Sequence, residues 1–334
     1  MHLALATAFA TASRLGAPPV MQFKLPEMPK LPNIFDSGAE QVSERVKGLT
    51  FEAADVATLP EVSSFFVDAF WLASTTFEGI ELSANDRRQL LQKVAEDLGP
   101  RYGILTKDKS KTLLGGRQRK GFPGRSLFES RLIVAREADG QIVGCAGIEA
   151  ALYETETGQV FRSDQADKLV REELNEMSND EAKRASEVYA ESGIGGLARG
   201  VIKKEFAPTL KQKYLSIWSP ASVLANLAVG PSYRRSGLGR ALCDACVACT
   251  TDEWKLDEIV LQVEEGNKPA VTLYRKDGYR EVFRAEDATA LRLAPSGSSL
   301  FDGLPGPLSA LAPQNEKLLK ELASPTLTMA KKLR

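Results

Sequence analysis

Residues 234–239 read Arg234-Arg235-Ser236-Gly237-Leu238-Gly239, and they come soon after the apolar run Val223–Val229. This order predicts a strand, a tight basic turn and a helix that begins near Leu238. Such a turn leaves several backbone N–H groups unpaired and aims them, with the positive end of the helix dipole, at one point. Glycine permits a close approach there because a Cβ would hold an anion away from the backbone. The stretch therefore predicts a site for a pyrophosphate group.

The composition of the chain narrows the classes of protein to consider. Its 334 residues are enough for one large domain or two small ones. The 43 Lys and Arg residues balance the 44 Asp and Glu residues, so no overall field favours nucleic acid or a membrane surface. No apolar run is long enough to span a bilayer. The single histidine, His2, lies at the N-terminus, which excludes Ser-His-Asp and Cys-His catalysis and zinc sites built from imidazole.

The cysteines do not form the pattern of a secreted disulfide framework, and they favour a reduced interior compartment. They are Cys145, Cys243, Cys246 and Cys249. The last three spread over ~120° of one predicted helix, which favours packing against a sheet over a metal or iron–sulfur site. The buried stripe of that helix is expected at Leu238, Ala241, Leu242, Ala245 and Cys249, with Cys243 on its flank.

The N-terminal residues read as a targeting segment followed by a linker. Residues 1–22 are rich in Ala, Thr and Ser and contain Arg14, and the first acidic residue is Glu27. This composition is typical of an organellar transit peptide, and the plastid stroma is the expected destination. A mitochondrial or cytoplasmic location and a disordered N-terminus with no address are the alternatives. Residues 23–46 are Pro-rich and predict an extended linker.

The rest of the chain predicts one mixed α/β domain over residues 47–295 with an insertion. The strongest local signal is a hairpin, Arg131–Arg136 and Ile142–Ile148, around the turn dipeptide Asp139-Gly140. Polar helical patterns fill residues 154–220, which we interpret as a helical insertion before the strand Val223–Val229. Residues 296–334 are rich in Gly, Ser and Pro and predict a flexible C-terminal tail.

A second motif joins the first. It reads Asn267-Lys268-Pro269-Ala270-Val271-Thr272-Leu273-Tyr274 and is followed by Gly278-Tyr279. Together the two segments resemble the pyrophosphate loop and the Asn-x-x-Ala-x-x-Leu-Tyr block of the GNAT superfamily of acyl-CoA-dependent N-acyltransferases. The chain is similar to the plastid-type protein acetyltransferases of that superfamily. The resemblance covers about two-thirds of the chain and leaves out the presequence, the insertion and the tail.

The resemblance implies a fold and a co-substrate. The fold is a twisted, mostly antiparallel sheet that is splayed at its centre and has helices on both faces. The co-substrate is acetyl-CoA, and the reaction needs no metal because the thioester is already activated. The implied cofactor-binding residues are Leu227, Ala228, Val229, Arg234, Arg235, Ser236, Gly237, Leu238, Gly239, Arg240, Asn267, Ala270 and Tyr274.

The resemblance also implies catalytic roles, with one departure. Tyr274 would protonate the departing thiolate. Where members of the superfamily often carry Glu or His as a base, this chain has Gln262, and the strand before the glycine turn offers Asn226. Glu264 lies on the same face as Gln262 because side chains alternate along a strand, so we expect Glu264 to act as the substitute base, in one version through water.

A site without a strong general base favours acceptor amines that are already neutral at the working pH. A lysine amine of pKa ~10.4 must lose a proton before attack, which costs about 3 kcal/mol at pH 8, whereas an α-amine of pKa ~7.8 is already about half neutral. We therefore expect acetyl transfer to protein N-terminal α-amines, and to lysine as a second acceptor, by direct attack in a ternary complex. The alternatives are a small amine metabolite as acceptor and a non-catalytic CoA-binding or assembly module.

The basic loop Gly115–Arg125 has two interpretations. Its cluster Arg117–Arg125 has the charge to contact RNA, a ribosome or an acidic substrate, but the same composition is typical of a solvated loop. The helical insertion also has two interpretations. It would either lie over the acceptor groove and shape specificity, or form part of the surface without a role in the site.

Overall fold

A computed structural model describes residues 44–73, 82–104, 122, 126–154, 156–203, 205–206, 217–293 and 318–333. The expected transit peptide of residues 1–22 lies outside the described residues, as does the expected linker as far as residue 43. Of the basic loop Gly115–Arg125, only Phe122 is described.

Side chains cap the starts of three described helices, at Ser83, Ser178 and Asn267. In the helix Ala84–Arg101, the Ser83 hydroxyl accepts from the amide of Asp86 at 3.1 Å, and Leu90, Val94 and Leu98 bury one face. The helices are α1 (Glu44–Lys47), α2 (Leu59–Phe66), α3 (Ala84–Arg101), α4 (Ser163–Glu176), α5 (Asn179–Ile202), α6 (Leu238–Ala248) and α7 (Lys268–Lys276). Two π-helical turns, Val67–Leu72 and Cys249–Glu253, extend α2 and α6. None of the described helices is both long and apolar enough to cross a membrane.

The strands form one large sheet and one small ribbon. They are β1 (Thr50–Ala53), β2 (Ser130–Arg136), β3 (Ile142–Glu154), β4 (Val160–Phe161), β5 (Trp218–Val229), β6 (Glu258–Glu264), β7 (Arg280–Ala285), β8 (Thr289–Leu293), β9 (Leu319–Ala323) and β10 (Thr326–Lys332). The large sheet has the order β1-β2-β3-β5-β6-β10-β7, and β4 pairs with β3. Strands β8 and β9 pair only with each other. All of these pairs are antiparallel except β5 with β6, which confirms the expected mostly antiparallel α/β fold.

Helices cover both faces of the sheet, as expected. Residues of α4, α5, α6 and α7 pack on one face, together with Ile133, Ile148 and Leu261 of the sheet. The other face holds α2, its π-helical turn and α3, which pack on Leu132 and Val134 of β2. This alternation between neighbouring residues of β2 is the period-2 pattern of a strand that is buried on both sides.

The predicted flexible tail is wrong for residues 318–333. Strand β10 lies between β6 and β7, and it pairs Thr328 with Gln262 on one side and with Phe283 on the other. Leu327 and Met329 are 2% and 0% exposed, so this strand is part of the core. Its sequence signal was short and followed a Gly- and Pro-rich stretch, and the partners that stabilise it lie more than 40 residues earlier in the chain.

The end of the predicted linker also belongs to the domain. Residues Glu44–Lys47 form α1, and Val46 is 1% exposed in the core. The Arg45 guanidinium lies 4.0 Å from the centre of the Tyr233 ring and donates to the backbone oxygen of Ser232 at 3.3 Å. The domain therefore starts a few residues earlier than the composition indicated.

The predicted helical insertion of residues 154–220 holds two helices, α4 and α5, together with the short strand β4 and the first residues of β5. Both helices contribute residues to the core. Gly193 has φ 59° and kinks α5, and the amide of Gly195 donates to the backbone oxygen of Trp254 at 3.1 Å. A Cβ on Gly195 would overlap the backbone oxygen of Lys255, so the close approach requires glycine. The insertion thus packs on the face that holds α6 and α7.

Candidate functional site

The sheet opens between β5 and β6. These parallel strands pair only over Ser222–Leu224 and Ile259–Leu261, and no further pairs join them. Beyond that point β5 stays paired with β3 on its other side, with Cys145 opposite Ala228 and Gly144 opposite Val229. Over residues 225–229, the edge of β5 that faces β6 therefore has no partner among the described strands. An extended ligand with amide groups fits such an edge, because it supplies the missing hydrogen bonds.

The glycine turn supplies an anion site at the end of the same strand. Arg235 has φ 64° and Gly237 has φ 93°, and α6 begins directly afterwards at Leu238. The amide of Ala241 is bonded to the oxygen of Gly237 at 3.0 Å, whereas the amides of residues 238–240 precede the first intrahelical bond. Three N–H groups and the positive end of the α6 dipole thus point at one place, which fits a diphosphate.

Gly239 shows where the two predicted motifs meet. A Cβ on this residue would lie 3.3 Å from Cδ2 of Leu273 and 3.7 Å from Cγ2 of Val229. Three elements therefore meet at this glycine, namely the start of α6, the end of β5 and helix α7. The position that a Cβ would take faces these two apolar side chains.

The side chains of the turn hold its conformation. Arg234 donates through Nη2 to the backbone oxygen of Ala69 at 3.1 Å and through Nε to that of Val229 at 3.5 Å. The Ser236 hydroxyl donates to the backbone oxygen of Tyr233 at 2.6 Å, and Nε of Arg240 lies 3.6 Å from Oδ1 of Asp277. These side chains are therefore engaged within the protein. Arg234, Ser236 and Arg240 contribute to an anion site mainly through their backbone groups and through the positive charge of the two arginines.

Helix α7 carries the second motif. The Asn267 side-chain oxygen accepts from the amide of Ala270 at 3.3 Å and so caps the helix. The cofactor contacts that the sequence predicts for Asn267 and Ala270 stay predictions. Tyr274 is 6% exposed, and its ring lies edge-on to that of Tyr279 with 5.6 Å between the centres. Burial raises the pKa of Tyr274 far above the ordinary value of a phenol, and the neighbouring Cys243 acts in the same direction. The phenol therefore keeps its proton at neutral pH.

Glu264 is committed to an ion pair, which argues against its predicted role as a base. Its Oε1 accepts from Nη1 of Arg292 at 3.0 Å, and its Oε2 accepts from Nη2 of Arg292 and from the Ser324 hydroxyl, the latter at 2.8 Å. The hydrogen bonds from Arg292 lower the pKa of Glu264. Arg292, which lies 28 residues later in the chain, occupies the face of the strand on which Glu264 was predicted to act. No local sequence pattern reveals this pairing.

The two neutral side-chain amides near the opening, those of Gln262 and Asn226, have hydrogen-bond partners within the protein. Gln262 is exposed, and its Nε2 lies 3.5 Å from the backbone oxygen of Gly158, in the turn after β3. Asn226 donates through Nδ2 to the hydroxyl of Tyr102 at 2.9 Å. Sequence reasoning missed Tyr102 and its neighbour Gly147, although an isolated glycine inside a strand is a signal for the close approach of another group.

The cysteines pack in the core, as predicted. All four are free and buried, and burial raises the pKa of Cys145 to about 12 and that of Cys249 to about 11. The expected flank position of Cys243 is wrong, because it is 0% exposed. Helix α7 and Tyr279 cover that side of α6, which a single-helix projection cannot show. Within the described ranges, no group of His, Cys, Asp and Glu could hold a metal ion.

Comparisons with known proteins identify what the chain is similar to. The family model for the acetyltransferase (GNAT) family matches residues 102–279. The chain is 37% identical over 59 residues to an N-alpha-acetyltransferase of Sulfurisphaera tokodaii, a match that covers 18% of this chain and only 35% of that relative.

Two solved structures are similar at low identity. One is an acetyltransferase of the GNAT family from Streptococcus pneumoniae, with 13% identity, a TM-score of 0.35 and coverage of 86% of this chain and 99% of that one. The other is a spermidine/spermine N-acetyltransferase from Vibrio cholerae, with 11% identity, a TM-score of 0.35 and coverage of 86% and 94%.

Proposed function

Because the chain belongs to the acetyltransferase (GNAT) family, we propose that it transfers an acetyl group from acetyl-CoA to a primary amine. One observation carries this proposal: the unpaired amides at the start of α6 adjoin the open edge of β5. The amides suit the diphosphate of coenzyme A, and the edge suits its amide-containing arm. Acetyl-CoA, when bound, supplies an activated thioester.

The chain's own residues supply positioning and proton donation. In the proposed reaction the amine nitrogen bonds to the thioester carbon, the carbon–sulfur bond breaks, and the amine releases a proton to water. Tyr274 is proposed to donate a hydrogen bond, and then its proton, to the departing sulfur, and a proton from water then restores the phenol. Burial keeps the phenol protonated whenever the sulfur departs, so a hydrogen-bond donor is always present. Because burial also raises its pKa further above the ~8.5 of a thiol, the hydrogen bond to the sulfur, more than ionisation of the phenol, stabilises the departing thiolate.

The proposed acceptor is the α-amine of a protein N-terminus. Near the opening, Gln262 and Asn226 are neutral amides, and the carboxylate of Glu264 is paired with Arg292. An acceptor that is already neutral suits such a site. Deprotonating lysine costs about 3 kcal/mol at pH 8, whereas an α-amine is about half neutral there, so lysine is the second acceptor. The name of the S. tokodaii relative supports the same choice.

The carboxylates argue against a polyamine as the acceptor. Glu149 on β3 is 1% exposed and accepts from Nε and Nη2 of Arg101 at 3.0 and 2.7 Å, and from Nε of Arg162 at 3.4 Å. Glu264 is held by Arg292. A polycation needs carboxylates that are free to pair with it, and each of these two is already neutralised by arginine.

An acceptor panel tests the proposal. The full chain is incubated with acetyl-CoA at pH 8 and one of three acceptors: a lysine-free peptide with a free N-terminus, the same peptide with a blocked N-terminus and one lysine, or spermidine. We expect the largest kcat/KM with the free N-terminus. Product with spermidine alone would overturn the choice of acceptor. No product with any of them, despite tight binding of CoA, would favour a non-catalytic binding module.

We also propose the plastid as the compartment, on the composition of residues 1–22. A fusion of residues 1–46 to a fluorescent protein, expressed in a plant or algal cell, should label the plastid. Mitochondrial or cytoplasmic fluorescence would contradict it.

A further inference from the structure

Tyr102 lies against the sheet at a position cleared for it. It follows the last residue of α3, is 4% exposed and packs in the core cluster that includes Leu132 and Cys145. A Cβ on Gly147 of β3 would overlap the Tyr102 hydroxyl, so only glycine leaves room for this group. The phenol oxygen is thereby held directly against the backbone of β3.

The partner of this hydroxyl lies at the point where β5 becomes irregular. Asn226 has φ 54°, a left-handed conformation that asparagine tolerates better than most residues. The pairing of β3 with β5 shifts there, because Cys145 is opposite Ala228 while Gly147 is opposite Ala225. One residue of β3 thus faces two of β5, which defines a β-bulge at residues 226–227.

The bulge begins two residues beyond the last β5–β6 pair and lies within the open edge of residues 225–229. Nδ2 of Asn226 donates to the Tyr102 hydroxyl at 2.9 Å, and Sγ of Cys145 lies 3.7 Å from the Asn226 backbone oxygen. We propose that Tyr102 is a positioning residue that fixes the Asn226 bulge and so sets the orientation of residues 227–229. The inference rests on the proposed function of that edge.

The register of a strand explains why this matters. A bulge that relaxed by one residue would turn the side chains of residues 227–229 to the opposite face and redirect their backbone groups. The diphosphate site at the start of α6 would remain. Loss of the Tyr102 hydroxyl should therefore affect the acetyl end of the bound thioester far more than its nucleotide end.

The matched pair of variants is Tyr102→Phe and Tyr153→Phe. Both keep a buried ring, but the Tyr153 hydroxyl is buried with no hydrogen-bond partner among the described residues, so its removal breaks no bond there. With whichever acceptor the wild type acetylates, Tyr102→Phe should lower kcat by about 3- to 10-fold, the value of one hydrogen bond, and leave the Kd of CoA within about 2-fold. Tyr153→Phe should change neither quantity. An equal loss in both variants would overturn the inference.

A double-mutant cycle tests whether Tyr102 acts through Asn226. Asn226→Gly removes the side-chain amide and keeps a residue that tolerates the left-handed backbone. In the Asn226→Gly background, Tyr102→Phe should have no further effect on kcat. The same fold-loss in both backgrounds would show that Tyr102 acts by another route and would overturn the inference.

A binding measurement separates this inference from the proposed function. Calorimetry gives the ratio of the Kd of CoA to that of acetyl-CoA without any acceptor. Tyr102→Phe should reduce this ratio by about 3-fold relative to wild type and to Tyr153→Phe, and an unchanged ratio would contradict the positioning role. If the wild type acetylates nothing, the proposed function fails while this ratio still decides the role of Tyr102.

Discussion

Nη2 of Arg234 donates to the backbone oxygen of Ala69 at 3.1 Å, so the glycine turn is bonded to the π-helical turn Val67–Leu72. The two segments belong to opposite faces of the sheet, and Arg234 also reaches the oxygen of Val229 at 3.5 Å. The anion site is therefore braced from the side of α2. π-Helical turns are frequent at functional sites, which is consistent with this contact.

Replacing Arg234 should loosen the turn. Arg234→Met removes both charge and hydrogen bonds, and Arg234→Lys keeps the charge without the planar fork that reaches two oxygens. We expect both variants to bind CoA about 3- to 10-fold more weakly, with the lysine variant closer to methionine than to wild type. Calorimetry measures this. Wild-type affinity in Arg234→Lys would show that charge alone is required.

Gly239 should be required for binding and not for folding. A Cβ there meets Leu273 at 3.3 Å, a contact that a small side-chain shift relieves. Gly239→Ala should therefore fold but weaken CoA binding by about 3- to 10-fold, because the shift that admits the methyl group against Leu273 and Val229 displaces the start of α6, whose amides hold the diphosphate. The matched control is Gly266→Ala, where a Cβ would meet nothing within 4 Å. Equal Kd values for the two variants would contradict the site.

Tyr274→Phe should slow turnover by about 100-fold or more and leave the Kd of CoA unchanged, as expected for the loss of a proton donor. Because burial raises the pKa of Tyr274, its titration should not appear in the pH profile of kcat between pH 6 and 9. The profiles of wild type and Tyr274→Phe should thus have the same shape. Tyr279→Phe removes a buried hydroxyl that has no hydrogen-bond partner in the described part of the chain, so it is the control and should keep wild-type turnover.

Glu264→Gln should affect stability and not chemistry. The folded-state pKa of Glu264 is lowered, so its stabilising contribution is present above the unfolded value of about 4.3 and is lost as the pH falls through the folded value. The variant should lower the free energy of unfolding at pH 7 by about 1 kcal/mol or less, since the pair is partly exposed, and the difference should vanish once the pH lies below the folded-state pKa. Urea unfolding measures both.

Turnover decides the role of Glu264 directly. If it is only an ion-pair partner of Arg292, the glutamine variant should keep kcat within a few-fold and keep the acidic limb of the pH profile. Loss of that limb together with a large drop in kcat would restore Glu264 as a base.

The part of the candidate site that would bind the cofactor could be predicted from local sequence. The order of strand, glycine turn and helix places the amides of residues 238–240, because a helix start leaves its first amides unpaired whatever surrounds it. The Asn267–Tyr274 motif likewise forms a short capped helix. What local sequence could not reveal was the partner of each polar group: Arg292 for Glu264, and Tyr102 for Asn226.

Periodicity and turn chemistry by themselves determined the hairpin β2–β3, the strand β5 and the helices that follow it. These elements depend on interactions between residues close in the chain and on one buried face each. Tertiary structure alone decided that β10 completes the sheet, that Cys243 is covered and that Glu264 is engaged. In each case the deciding contact joins residues distant in sequence, and the free energy of that contact appears only when the chain is packed.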